Sequence, residues 1–261
     1  NTITGTVTGV SAGTSTITYT YTNSNGCVSS VTTTVTINAL PTVAAITGTT
    51  SVCEGATTTL SDVTAGGVWT SSNTATATVN ASTGVVTGVA AGSTTITYTV
   101  TTNGCSTSVT TTVTVNAIPV VAAISGTTEV CAGSTTSLTS ATTGGTWSSS
   151  NTAVATVNAS TGVVTGVAAG SATITYTVTT NGCTSNAQAT VTVNALPVLA
   201  SIGGTASTCV GSTTTLTNTT SGGVWTSSAT AVATVNTITG TVTGVSAGTS
   251  TITYTYTNSN G

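Results

Sequence analysis

A strict internal period constrains this chain more than any other feature. Pro41, Pro119 and Pro197 lie 78 residues apart, as do Trp69, Trp147 and Trp225, Cys53, Cys131 and Cys209, and Cys27, Cys105 and Cys183. The unit reads LP-x(11)-C-x-G-x(10)-GG-x-W-x-S-S, then TGxVTGVxAGxxTITYT, then NGC, then a Thr/Val stretch ending VNALP or VNAIP. Self-similarity at a fixed period means one structural block per unit, with each block a small fold of its own. Residues 1–26 return unchanged as residues 236–261, an offset of 235. The first unit carries one extra residue in its NGC loop, because Tyr19 precedes Cys27 by eight positions and Tyr98 precedes Cys105 by seven. Three similar modules therefore form a super-repeat, and a fourth begins as a copy of the first. Both Asn1 and Gly261 fall inside a module, so the 261 residues read as a window on a longer tandem array, with a truncated fragment as the alternative.

The expected division is a C-terminal half-module at 1–40, modules at 41–118 and 119–196, and the N-terminal part of another at 197–261. Strand signals are dense within a module. In 41–118, VAAIT is a first strand, ATTTLSDV a second, VWTSS a third, TATVN a fourth, GVVTGV a fifth, STTITYTVT a sixth and STSVTTTVTVN a seventh. Alternation is clear in the sixth, which puts Ile96, Tyr98 and Val100 on one face. Gly66-Gly67, Ala91-Gly92 and Asn103-Gly104 supply turns. The prolines sit where a ladder cannot continue and read as module joints. Seven short strands at about ten-residue spacing, with no helical period, predict an all-β tandem array of seven-stranded immunoglobulin-like sandwiches. At about 3.3 Å per strand residue, each bead should advance about 40 Å.

Composition supports order rather than disorder. The chain has no Lys, Arg or His, and its only acids are Glu54, Asp62 and Glu129. Low charge alone often signals disorder, but disordered chains also lack the β-branched residues that abound here. No apolar run approaches the ~18 residues of a membrane span.

The stretch GGTWSSSNTAVATVNASTGVVTGVAAGSATITYTV, residues 144–178, resembles a bacterial immunoglobulin-like domain of group 2. The elements W-S-S-N, V-A-T-V and G-V-V-T-G-x-A-x-G-x-A-x-I carry the likeness. The paired VCxG and NGC elements are similar to repeats of very large surface proteins and adhesins of Bacteroidota. The resemblance covers every module and implies an extracellular array whose modules act mainly as spacers. Such arrays are often stiffened by calcium or by Lys–Asn isopeptide bonds. This chain has too few carboxylates for the first and no lysine for the second.

Catalysis fails on inventory. Without His or Lys, general acid–base chemistry has only three scattered carboxylates and six thiols to draw on. Each acid reads as a solvated surface charge, and the sequence implies no enzyme, no cofactor and no metal. The cysteines lack C-x-x-C spacing, and no cation is present to meet a nucleic-acid phosphate.

Disulfides thus remain the available staple. An intramodule bond between Cys53 and Cys105, packed on Trp69, would copy the immunoglobulin core bond. Yet Cys105 follows the Asn103-Gly104 turn and Cys53 precedes the second strand, at opposite poles of a sandwich some 20–30 Å apart, whereas a bond needs Cα atoms within about 7 Å. An intermodule scheme fits the poles and joins Cys53 to Cys183. Under it Cys27, Cys105, Cys131 and Cys209 pair to further modules. Six buried thiols remain the unbonded alternative. Trp69, Trp147, Trp225, Tyr98, Tyr176 and Tyr254 are the expected aromatic core.

The expected function is structural, the stalk of an extracellular filament or giant cell-surface adhesin. Its partners would be other modules of the same chain, with lateral self-association favoured by edges that lack charged guards. Two other readings are a Thr-rich ice-binding surface, suggested by Thr95-x-Thr97-x-Thr99, and a glycan-binding or glycosylated coat, suggested by sequons at Asn80, Asn158 and Asn218.

Overall fold

A computed structural model describes residues 1–258, and the turn read at 259–261 lies outside the described residues. Every regular element among the described residues is a strand. None is a helix long and apolar enough to cross a membrane. The chain falls into two compact units, Asn1–Pro119 with Thr179–Thr184, and Val120–Val178 with Ser185–Gly261.

In the first unit, β1 (Gly13–Thr22) and β2 (Val28–Ile37) form a two-stranded antiparallel hairpin. Its turn is closed by Asn23, whose backbone N–H donates to the Cys27 carbonyl and whose side-chain oxygen accepts from the N–H groups of Asn25 and Cys27. Next come β3 (Thr47–Gly48), β4 (Ser51–Cys53), β5 (Thr57–Ser61), β6 (Val68–Ser71), β7 (Ala77–Val79), β8 (Val85–Gly88), β9 (Gly92–Thr102) and β10 (Cys105–Asn116). They build two four-stranded sheets, ordered β3-β5-β8-β7 and β4-β10-β9-β6. One apolar core lies between the sheets, with Leu60 and Val86 entering from the first and Trp69, Ile96, Tyr98 and Val113 from the second. The alternation of β9 produces this arrangement, since Thr94, Ile96, Tyr98 and Val100 are buried while the threonines between them are half-exposed. Burying each large apolar side chain contributes about 1.5–3 kcal/mol.

The first expected strand differs. Residues 43–46 join no ladder; Val43 and Ile46 pack on the core from a segment outside the sheets. The Ala44 N–H, which a ladder would use, donates instead to the Thr64 hydroxyl at 3.0 Å. Of the expected strand only Thr47 enters a ladder, in β3 antiparallel to β5, and an unforeseen strand, β4, follows it parallel to β10 in the other sheet. Gly48 permits the crossing: its φ is +118°, and a Cβ there would lie 2.5 Å from the Thr59 carbonyl oxygen. The module thus carries eight strand segments rather than seven.

The second unit repeats the plan. It holds β11 (Ile124–Gly126), β12 (Glu129–Cys131), β13 (Thr135–Ser140), β14 (Thr146–Ser149), β15 (Ala155–Val157), β16 (Val163–Gly166), β17 (Gly170–Thr180) and β18 (Cys183–Asn194), except that the β17–β18 tip groups with the first unit. The sheets are β11-β13-β16-β15 and β12-β18-β17-β14. Then follow β19 (Gly203–Gly204), β20 (Thr213–Thr217), β21 (Val224–Ser227), β22 (Ala233–Val235), β23 (Thr241–Gly244) and β24 (Ile252–Thr255), in sheets β19-β20-β23-β22 and β21-β24.

Threonine lines the outside of both sheets of a module. Register aligns Thr70, Thr97 and Thr110 across β6, β9 and β10, and Thr57, Thr87 and Thr78 across β5, β8 and β7. β-branched residues suit the pleated surface on either side, so no single face monopolises them.

Candidate functional site

The residues that converge most specifically are those around the end of β10 and the tip of the β17–β18 hairpin, all within the first unit. The tip is a two-residue turn, Asn181-Gly182, with φ of +51° and +81°. That is the geometry of a type I′ turn, which Asn-Gly adopts at low steric cost and which matches the twist of the flanking strands. It brings Cys183, the first residue of β18, to the pole.

Opposite it, β4 runs parallel to the end of β10, with Cys53 in register with Asn116. The Glu54 N–H donates to the Asn116 carbonyl at 3.0 Å, and Gly55, at φ +73°, turns the chain away. Cys53 and Cys183 are disulfide-bonded there, with Sγ atoms 2.00 Å and Cα atoms 5.6 Å apart. Cys183 is buried, and its Sγ lies 3.8 Å from the Asn116 carbonyl oxygen. The Asn116 amide donates to the Ser51 hydroxyl at 2.8 Å and to the Asn181 carbonyl at 3.2 Å. One asparagine thus ties β4, β10 and the hairpin tip together.

The same constellation occurs one period earlier. Asn38, just after β2, donates its amide to the Asn103 carbonyl at 2.9 Å, and the Cys105 thiol points at the Asn38 carbonyl at 3.7 Å. Asn103-Gly104 has φ of +49° and +79°. Cys105 is a half-exposed thiol, and Cys27 and Cys209 are exposed thiols. Cys131 ends β12 and is buried. One period later, the side-chain amide of Asn194 is buried without a hydrogen-bond partner among the described residues. The asparagine is the element that sequence reasoning missed, because VNAIP signals only a strand end. Its recurrence next to each joint proline was the available signal.

Two of the acids are less solvated than expected, Glu54 and Asp62, while Glu129 is exposed. Glu54 accepts a 2.7 Å hydrogen bond from the Ala91 N–H. Asp62 accepts one of 2.7 Å from Thr64, and its second carboxylate oxygen is buried without a partner among the described residues. The reading of Asp62 as a surface charge is therefore corrected: the turn after β5 folds the carboxylate inward to cap Thr64. No group of three or more His, Cys, Asp or Glu side chains gathers among the described residues.

The aromatic residues form one local clamp per module. Trp69 packs on Tyr98 with ring centroids 4.5 Å apart, and Trp147 on Tyr176 and Trp225 on Tyr254 at 4.6 Å each. The Tyr98 hydroxyl donates to the Thr64 carbonyl at 2.6 Å and accepts from the Gly67 N–H at 2.9 Å. A Cβ on Gly67 would fall 2.3 Å from the Tyr98 ring, so the GG-x-W element needs glycine for close approach.

Residues 28–111 and 109–193 each match the sequence model of a family described as bacterial Ig-like domain (group 2). Among curated proteins none matches this sequence. Solved structures similar to it match at low identity. Domains 1–6 of the surface layer protein SbsC are 21% identical, over 94% of this chain and 43% of that one, with a TM-score of 0.28. A SusE-like surface-located polysaccharide-binding protein from the Bacteroides thetaiotaomicron heparin utilisation locus is 12% identical, over 69% of this chain and 43% of that one, with a TM-score of 0.34. The C-terminal fragment of intimin, solved with the intimin-binding domain of its translocated receptor, is 18% identical, over 65% and 69%, with a TM-score of 0.35. The chain spans 43% of the length of each of the first two.

Proposed function

Because this chain belongs to the bacterial Ig-like domain (group 2) family, in tandem copies, we propose that it is a structural repeat region of an extracellular filament or giant cell-surface adhesin stalk, stiffened by disulfides at its module joints. The observation that carries this reading is the Cys53–Cys183 bond beside the Asn116–Asn181 hydrogen bond. A disulfide also fits an oxidising, extracellular setting.

In this reading the modules are 41–118 and 119–196, flanked by the partial modules 1–40 and 197–261. The joint at Pro119 is a single backbone strand. A second covalent link between Cys53 and Cys183 converts that hinge into a two-point attachment and restricts bending and twisting. The bond spans 130 residues of chain, and closing so long a loop stabilises by about 4–5 kcal/mol in the chain-entropy account. Cys27, Cys105 and Cys209 make equivalent bonds with further modules. The surface, nearly free of charge, allows neighbouring strings to bundle. The modules carry spacing and stiffness rather than catalysis.

The test is bending stiffness measured by imaging single chains before and after mild reduction, with tryptophan fluorescence recorded in parallel. Reduction should increase flexibility while the fluorescence of the folded modules stays unchanged. Equal stiffness in both states would refute the joint function, and recovery of a Cys53–Cys105 peptide under non-reducing digestion would refute the pairing.

A further inference from the structure

The sandwich of β11–β18 holds a cleft of about 470 Å³ between the β13–β14 connection and the β15–β16 turn. Small-molecule sites fall in the same range, about 300–1,000 Å³. β13, β14 and β17 frame the cleft, each paired within its own sheet, and all the lining residues belong to the second compact unit. Gly144 and Gly145 line it without putting a side chain into it. Polar groups without partners set this cleft apart. Trp147 borders it and is only 6% exposed, yet its indole N–H meets no acceptor among the described residues. An indole N–H at such depth ordinarily finds one. The exposed hydroxyls of Thr143, Thr146 and Ser160 at the rim likewise have no protein partner among the described residues.

Neighbouring polar groups are already committed. The Tyr176 hydroxyl donates to the Thr142 carbonyl at 2.9 Å and accepts from the Gly145 N–H at 2.8 Å. The Ser140 hydroxyl donates to the Ala122 carbonyl, and that of Thr142 accepts from the Ala122 N–H. A ligand must therefore bring an acceptor to the indole and exchange hydrogen bonds with the free hydroxyls. It must also be uncharged, because no charged side chain lines the cleft to meet it. A peptide strand fits poorly. The Trp147 N–H is held by the Ala159 carbonyl at 2.9 Å and the Leu138 N–H by the Gly162 carbonyl at 3.0 Å, so the backbone groups that an added strand would use are occupied. An uncharged pyranose fits well. Its hydroxyls accept as well as donate, and its C–H face suits the apolar lining of Trp147, Leu138 and Ala159.

We propose that this cleft binds a neutral glycan, with one or two uncharged pyranose units accepting from the Trp147 indole N–H and bonding to Thr143, Thr146 and Ser160 at the rim. The period of the chain supplies its own comparison. Trp147 and the two glycines recur as Trp69, Gly66 and Gly67 and as Trp225, Gly222 and Gly223, but the rim does not. Thr143 and Thr146 are replaced by Ala65 and Val68 in one copy and by Ser221 and Val224 in the other. The rim hydroxyls thus single out the sandwich of β11–β18 as the binding copy, and the sandwich of β3–β10 serves as its internal control. The site goes beyond the filament reading and rests on no part of it.

Nitrogen-15 NMR of the 261-residue chain tests the proposal through its three indole N–H resonances, one for each tryptophan. The W69F, W147F and W225F variants each delete one resonance, so any two of them assign all three. Maltotriose, cellotriose and mannotriose are the probes. At least one should move the Trp147 resonance saturably with a midpoint in the millimolar range, while the Trp69 and Trp225 resonances do not saturate there. T143A/T146V installs the pair that stands at Ala65 and Val68 in a folded copy, and it should weaken binding about 10-fold through two lost hydrogen bonds. Trigalacturonate, of similar size but charged, should leave the Trp147 resonance in place. A Trp147 resonance indifferent to all three neutral sugars, or an equal response in T143A/T146V, would overturn the proposal. So would a response to trigalacturonate, or to the peptide STSVTTT of residues 106–112 in place of the sugars. None of these outcomes touches the Cys53–Cys183 joint, which the imaging experiment tests separately.

Discussion

Trp147 packs on Tyr176 and Trp225 on Tyr254 with the same 4.6 Å between rings, yet the cores around these pairs differ. In the sandwich of β11–β18, Leu138, Val164 and Ile174 are fully buried; their counterparts Leu216 and Val242 retain 7% and 6% exposure, and Ile252 is half-buried. The aromatic clamp needs only the pairing of β14 with β17, or of β21 with β24, which sequence neighbours within about one module supply. Core closure needs a further strand, β18, whose valines seal the space between the sheets. The clamp is thus made by one strand pair, whereas the sealed core of β11–β18 draws on both sheets.

The largest expected effect removes that difference. Val191→Asp puts a carboxylate among apolar side chains with no partner, at a cost of about 4 kcal/mol or more. Urea unfolding should show module 119–196 lost as a cooperative unit while module 41–118 melts unchanged. Next, amide exchange should separate the two regions. The Ile174 N–H lies in a strand flanked on both sides, and in the 261-residue chain it should exchange at least ~100-fold more slowly than that of Ile252, whose strand pairs with β21 alone among the described residues. Equal rates would show that β24 is covered. A smaller and deliberately equal effect is expected from Tyr176→Phe and Tyr254→Phe. Each strips a half-buried N–H of its acceptor, at Gly145 and Gly223, and should cost about 1–2 kcal/mol by calorimetry; clearly unequal losses would break the claim that the clamp is local. Thr175→Val, on the outer face of β17, should change stability by no more than about 0.5 kcal/mol.

Much of this was legible in the residues. The alternation from Thr94 to Val100 gives the β9 face directly, because period two admits one assignment of inside and outside. Asn103-Gly104 and Asn181-Gly182 announce tight hairpins through the positive φ that the type I′ turn requires. The crossing from β3 to β4 was not legible, because β3 is two residues long and its path depends on tertiary contact between Gly48 and Thr59. The inward turn of Asp62 was hidden for a similar reason. The roles of Asn38 and Asn116 were obscured because an asparagine before Ala-Leu-Pro or Ala-Ile-Pro reads as punctuation, whereas its side chain reaches a carbonyl some 65 residues away.

The parallel pairing of β4 with β10 has a consequence under tension. β4 lies near the start of module 41–118 and β10 ends it, so a pull applied at Pro41 and Pro119 draws the two strands in opposite senses along their length. Ser51, Val52 and Cys53 are in register with Thr114, Val115 and Asn116, and their hydrogen bonds lie across the direction of slip. The bonds share the load and fail together instead of opening one after another, which makes a ladder of only three residue pairs the module's tensile lock.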